Sequence, residues 1–138
     1  MTTRREFLAR GGAAALAAAA PGRLLAGAAP HPLRILILGG TSFMGPHQVA
    51  YALGRGHSVS TFTRGRTTPS VHAALFRDVE QLIGDRAGDL DALRGREWDA
   101  VLDNSGSRVE WTRDTARLLV DRARTYLYTS STGVHYPY

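Results

Sequence analysis

Hydrophobic positions along the chain change their spacing in a regular alternation. Residues 33–38 read Leu-Arg-Ile-Leu-Ile-Leu, the nearly continuous apolar run of a parallel strand covered on both faces. Helical spacing follows. It starts at Gly45 or Pro46, since proline suits a first helical turn, and it ends at Gly54 or Gly56, either of which can form a left-handed cap. Over residues 58–63, Val59, Thr61 and Thr63 alternate with Ser60 and Phe62. This predicts a second strand, ended by Arg64-Gly65-Arg66. A short helix is expected over 69–76, a third strand over 79–83, a helical turn over 89–93 and a fourth strand over 99–103. Residues 109–123 predict an amphipathic helix. Val109, Thr112, Ala116, Leu119, Val120 and Ala123 share one face, and Arg113, Asp114, Arg117 and Asp121 the other. A fifth strand is expected over 125–130. Strands alternating with helices predict an α/β class, a doubly wound parallel sheet of order 3-2-1-4-5.

The first strand runs into Gly39-Gly40-Thr41-Ser42-Phe43-Met44-Gly45. Glycines permit a tight turn there, and the next helix begins with N–H groups that have no partner within the helix. Such a turn is suited to a pyrophosphate.

Composition narrows the chemistry. The chain has no cysteine, which excludes disulfides, thiolate metal sites and cysteine catalysis. All 17 basic residues are arginine. The lack of lysine excludes a phosphate-loop lysine and a Schiff base within this chain. His31, His47, His57, His72 and His135 show no H-E-x-x-H spacing, so no metal is assigned. The net charge of +5 is concentrated at the start, where Arg4, Arg5, Arg10 and Arg23 face only Glu6. Residues 29–138 hold 13 arginines against 11 acids, a balance of +2, and no basic stripe points to nucleic acid.

Thr3-Arg4-Arg5-Glu6-Phe7-Leu8 resembles a twin-arginine export motif. An alanine-rich run over 11–20 and the cleavage-type sequence Ala26-Gly27-Ala28 follow. The apolar run is well short of the roughly 20 residues of a membrane span. Residues 1–28 are therefore expected to be a signal peptide, and residues 29–138 the mature domain. The twin-arginine machinery would be the export partner and the periplasm the destination. Because that route carries folded proteins, a cofactor could be loaded before export.

Four segments at strand ends carry a wider resemblance: the glycine turn, Gly84-Asp85-Arg86, residues 99–104 (Asp-Ala-Val-Leu-Asp-Asn), and residues 128–134 (Tyr-Thr-Ser-Ser-Thr-Gly-Val). Together they resemble the N-terminal half of the NAD-dependent epimerase/dehydratase family, a group of extended or atypical short-chain dehydrogenases/reductases. The resemblance implies an NAD(P)-binding Rossmann domain truncated after strand five. It also implies a parent enzyme that acts by hydride transfer on a small sugar-like or nucleotide-sugar-like substrate, and the N-terminal segment makes that enzyme an exported one. The alternative is a non-catalytic relative, a redox-sensing or RNA-binding regulator.

The resemblance also implies site residues. Gly39, Thr41, Ser42, Phe43, Met44 and Gly45 fall on the family's Gly-x-x-Gly-x-x-Gly turn, with Ser42 standing at the middle glycine. No acid lies between His57 and Arg77, whereas Arg64 and Arg66 end strand two. An arginine there suits the 2′-phosphate of NADP, so NADP is expected over NAD. Asp85 matches a position that meets the adenine amino group. Asn104 and Ser105 match the stretch beside cofactor sugar and phosphates. Ser131 aligns with the catalytic serine. Its usual partner, Tyr-x-x-x-Lys, cannot occur in a chain without lysine, and Tyr136 and Tyr138 are poor substitutes. The chain alone is therefore expected to lack turnover.

Overall fold

The computed structural model describes residues 29–131. The expected signal peptide, residues 1–28, and residues 132–138 lie outside that range. The apolar run forms strand β1 (Arg34–Leu38) at the centre of the sheet. After it come helix α1 (Gly45–Gly54), strand β2 (Ser58–Thr63), strand β3 (Glu80–Ile83), strand β4 (Trp98–Asp103), helix α2 (Val109–Leu119) and strand β5 (Ala123–Tyr128). All neighbouring strands pair in parallel, in the order β3-β2-β1-β4-β5. The predicted doubly wound topology is the one observed.

Successive side chains of a strand point to opposite faces, and β1 uses this to build two cores. Ile35 and Ile37 pack with Val49 and Ala52 of α1 and with Val59. Leu36 and Leu38 pack with Phe62, Val101 and Leu119 on the other face. Short 3₁₀ turns, Ala73–Asp78 and Asp91–Leu93, stand where full helices would join β2 to β3 and β3 to β4. Each inserts one large apolar side chain, Phe76 or Leu93. The first turn lies later than the helix expected over 69–76. Among the described residues no helix is long and apolar enough to cross a membrane.

The end of the chain differs from the periodicity reading. Helix α2 stops at Leu119, and β5 begins at Ala123 opposite Trp98. The Trp98 N–H donates to the Arg122 carbonyl at 2.8 Å, and the Arg122 N–H donates to that of Leu119 at 2.9 Å. The ladder with β4 therefore captures Ala123 before the helix can reach it. The buried stripe of α2 is Thr115 and Leu119, whereas Val109 and Val120 are exposed. An apolar pattern read over too long a helix had rotated the face. Among the described strands β5 pairs only with β4, and its Leu127 and Tyr128 are about half exposed.

Two glycines of the turn are required by packing. A Cβ on Gly45 would lie 2.5 Å from the carbonyl carbon of Gly40, and one on Gly40 would lie 2.5 Å from Thr61 Cγ2. Helix α1 thus starts in direct backbone contact with the turn. Ser42 at the middle position is outside the positive-φ region, which holds Gly39 at +82° and Phe43 at +53°. No left-handed conformation is demanded of the serine.

Gly45→Ala should lower stability by about 1–3 kcal/mol or more, because rigid backbone must move. Gly54 has nothing within 4 Å of a built Cβ, so Gly54→Ala should be neutral or stabilising by up to about 1 kcal/mol. Denaturant midpoints of the two variants check the pair. Equal midpoints would refute the close-contact argument.

Candidate functional site

The carboxyl ends of the strands gather the loops at one edge. The ladders run on past the strands: Gly39 N–H donates to the Phe62 carbonyl, Gly84 N–H to that of Thr63, Asn104 N–H to that of Leu38, and Thr129 N–H to that of Asp103, all at 2.9–3.0 Å. Connections leave β1 and β4 toward opposite sides of the sheet, which opens a crevice between them.

A cleft of about 170 Å³ occupies this edge. It is lined by Gly39, Thr41 and Ser42 after β1, by Phe62, Thr63, Arg64, Arg66 and Thr67 at the end of β2, by Gly84, Asp85 and Arg86 after β3, and by Ser105 and Trp111 after β4. The structure thus brings together six of the expected site residues: Gly39, Thr41, Ser42, Arg64, Asp85 and Ser105. Arg66 joins them. Phe43, Met44, Gly45, Asn104 and Ser131 are not on the cleft wall. Phe43 is 89% exposed at the tip of the turn, and Gly45 is buried beneath it. The Asn104 side chain exchanges hydrogen bonds with Gln48 of α1 and accepts one from Thr129 Oγ1 at 2.8 Å, so it braces α1 against β4. Ser131 lies exposed beyond β5.

Within the described chain the N–H groups of Thr41, Ser42, Phe43 and Met44 make no hydrogen bond. They sit at the positive end of α1, which begins at Gly45. Arg64 and Arg66 make no ion pair among the described residues. The wall of the cleft that holds Thr41, Ser42, Arg64 and Arg66 is therefore rich in donors and positive charge. Asp85 is fixed by its own turn: Oδ1 accepts the Ala87 N–H at 2.9 Å, and its backbone bridges to Asp89.

Below the cleft is a charged pair that periodicity did not reveal. Arg86 clamps Asp103 through Nη1 to Oδ1 at 2.7 Å and Nη2 to Oδ2 at 2.9 Å. Asp103 is fully buried, and Arg86 is 7% exposed. The carboxylate also accepts Tyr126 O–H at 2.7 Å and Ser105 N–H at 3.1 Å. Arg86 Nη1 donates in addition to Ser105 Oγ at 3.1 Å. Burial pushes the Asp103 carboxyl upward, but the Arg86, Tyr126 and Ser105 donors outweigh it, and the net shift is downward. Burial, then the Asp103 carboxylate, drives the Tyr126 hydroxyl well above its usual range. The Nε of Arg86 is buried with no partner among the described residues.

His47, His57 and His72 make contacts within the scaffold. His57 Nδ1 accepts the Leu33 N–H at 3.1 Å, and His47 and His72 meet each other at 3.3 Å. Among the described residues no group of three or more His, Cys, Asp or Glu is placed to hold a metal ion.

No family model matches the chain. It is 32% identical over 115 residues to the chloroplast stem-loop binding protein of 41 kDa b from Arabidopsis thaliana, an alignment covering 74% of this chain and 30% of that protein. Among solved structures it resembles a UDP-galactose 4-epimerase, with TM-score 0.59 and 21% identity over 72% of this chain and 38% of the epimerase. It also resembles the Bordetella bronchiseptica enzyme WbmG, solved with NAD, with TM-score 0.56 and 16% identity over 72% of this chain and 37% of WbmG. The chain spans about a third of the length of these relatives. The structural likeness establishes the Rossmann-type fold.

Removing one partner of a buried ion pair costs about 3–5 kcal/mol. Asp103→Asn should therefore destabilise the fold on that scale by leaving Arg86 under-paired. The folded pKa of Asp103 lies below its unfolded value, so its contribution is present above about pH 4 and lost as pH falls through the folded pKa. The stability difference between wild type and Asp103→Asn should accordingly shrink as pH falls below about 4. Denaturant melts across that range check it, and a difference that does not change with pH would contradict the linkage.

Proposed function

We propose that this chain is the dinucleotide-binding region of an exported NAD(P)-dependent enzyme of the epimerase/dehydratase type. The substrate would be sugar-like or nucleotide-sugar-like. One observation carries the reading: four separate segments converge on a single cleft at the switch point of a doubly wound sheet.

The residues present fit such a cofactor. The pyrophosphate would take the unpaired N–H groups of residues 41–44. Gly39 brings the chain within reach of Ser105, where a Cβ would lie 2.8 Å from that of the serine. Arg64 and Arg66 would hold a 2′-phosphate, which favours NADP over NAD. Asp85 would accept the adenine amino group, and Asn104 would keep the loop after β4 in place. A bound nicotinamide would supply hydride transfer. Ser131 would hydrogen-bond the reacting oxygen of the substrate. The sequence contains no lysine, so no Tyr-x-x-x-Lys pair within it can move the proton.

The Arabidopsis relative, by its name, binds a nucleic-acid stem-loop, which makes RNA binding the second reading. The balance of +2 over residues 29–138 argues against it, since phosphate-backbone affinity rests on clustered positive charge.

Titration with NADPH, NADH and a stem-loop RNA separates the readings. NADPH should bind more tightly than NADH. Replacing Arg64 and Arg66 together by alanine should weaken NADPH about ten-fold, the scale of one lost charge-assisted contact, and leave NADH nearly unchanged. Tighter NADH binding would refute the arginine assignment. Salt-sensitive RNA binding with no dinucleotide binding would favour the regulator.

Export rests on Arg4 and Arg5 before the alanine-rich run. Arg4→Lys with Arg5→Lys should retain the protein in the cytoplasm, as cell fractionation would show. Wild-type levels of the double variant in the periplasm would refute the twin-arginine route.

A further inference from the structure

We propose that Trp111 is the stacking wall for the base of the bound nucleotide. This rests on the dinucleotide reading and adds a residue that holds the base. The sequence has two tryptophans. Trp98 is a core residue, 4% exposed. Trp111 is half-buried in the first turn of α2 and lines the cleft with Arg64, Arg66, Thr67 and Asp85.

The phase of α2 explains this position. Its buried residues are Thr115 and Leu119, and Trp111 lies one turn earlier on the same stripe. Leu119 joins the core beneath the sheet. The start of the stripe extends past the carboxyl edge of the strands, where the next ring meets the cleft. Thr115 Oγ1 donates to the Trp111 carbonyl at 2.8 Å, and the Arg108 guanidinium lies 5.9 Å over the ring. The indole is thus held at its backbone and faced by a cation on one side.

The surrounding groups define the ligand. An indole beside a charged rim offers a π-face to any base. Asp85 Oδ2 makes no hydrogen bond among the described residues, since the turn uses Oδ1. It can accept from an exocyclic amine, and the neighbouring arginines can hold phosphate. Aromatic surface, amine acceptor and phosphate donors in one cleft select a purine nucleotide that carries an amino group.

The test uses the full chain labelled with 5-fluorotryptophan, which gives one fluorine resonance for each tryptophan. Trp111→Phe identifies the second. Adenosine 2′-monophosphate, adenosine 5′-monophosphate and NADPH should each shift the Trp111 resonance and leave that of Trp98 in place. Trp111→Ala should weaken all three by about 5- to 100-fold, whereas Trp111→Phe should keep most of the affinity, as expected for base–aromatic stacking. Thermal melts confirm that the variants are folded. Normal nucleotide affinity in folded Trp111→Ala, with a Trp111 resonance that stays silent in the wild type on nucleotide binding, would overturn the stacking assignment and leave the dinucleotide reading intact. Failure of the wild type to bind NADPH, NADH or either monophosphate would overturn both.

Discussion

The carboxyl edge of the sheet is organised around one buried carboxylate. Asp103 ends β4 in the middle of the fold and is fully shielded from water. An isolated charge there would be prohibitively costly. Arg86 answers it with two parallel hydrogen bonds, while Tyr126 O–H and Ser105 N–H take further acceptor positions. These partners come from the loop after β3, from β5 and from the loop after β4. A single electrostatic requirement thus ties three segments that are distant in sequence. Such a pair adds little net stability compared with apolar packing. Its geometric effect is larger: Asp85 adjoins Arg86 in the chain and Ser105 is itself a member of the network, so the cleft walls inherit their positions from it.

A second constraint acts on the opposite wall. Helix α1 starts in backbone contact with Gly40, and Gly45 is what permits the approach. The unpaired N–H groups of the turn are held beside the sheet for that reason. Ser42 shows which parts of a glycine pattern are steric. Its backbone avoids positive φ and its side chain is exposed, so neither strain nor crowding demands glycine there. The cleft therefore presents a hydroxyl beside the turn without losing the turn's shape.

The sheet and its order were legible because β1 is continuously apolar and because each later strand ends in a polar or glycine-rich break. Local chemistry also placed Arg64, Asp85 and Ser105 at strand ends, and strand ends are where a parallel sheet collects its loops. The face of α2 was misjudged because its C-terminal boundary is set by pairing of Ala123 with β4, a contact no helical period encodes. The Arg86–Asp103 pair was hidden for a similar reason. In the sequence Arg86 is one more arginine after a turn, and Asp103 one more acid at a strand end. Only the sheet order brings them together.

The same distinction separates the two roles of arginine in this chain. Arg86 is neutralised by Asp103 and is almost wholly out of water, so its charge is largely committed to the scaffold. Arg64 and Arg66 lie on the cleft with no ion-pair partner among the described residues, so their charge remains directed at whatever enters. Selection for an anionic ligand then depends on which arginines the fold leaves unpaired, not on how many the sequence contains. Asp103 makes that selection by withdrawing Arg86 from the set.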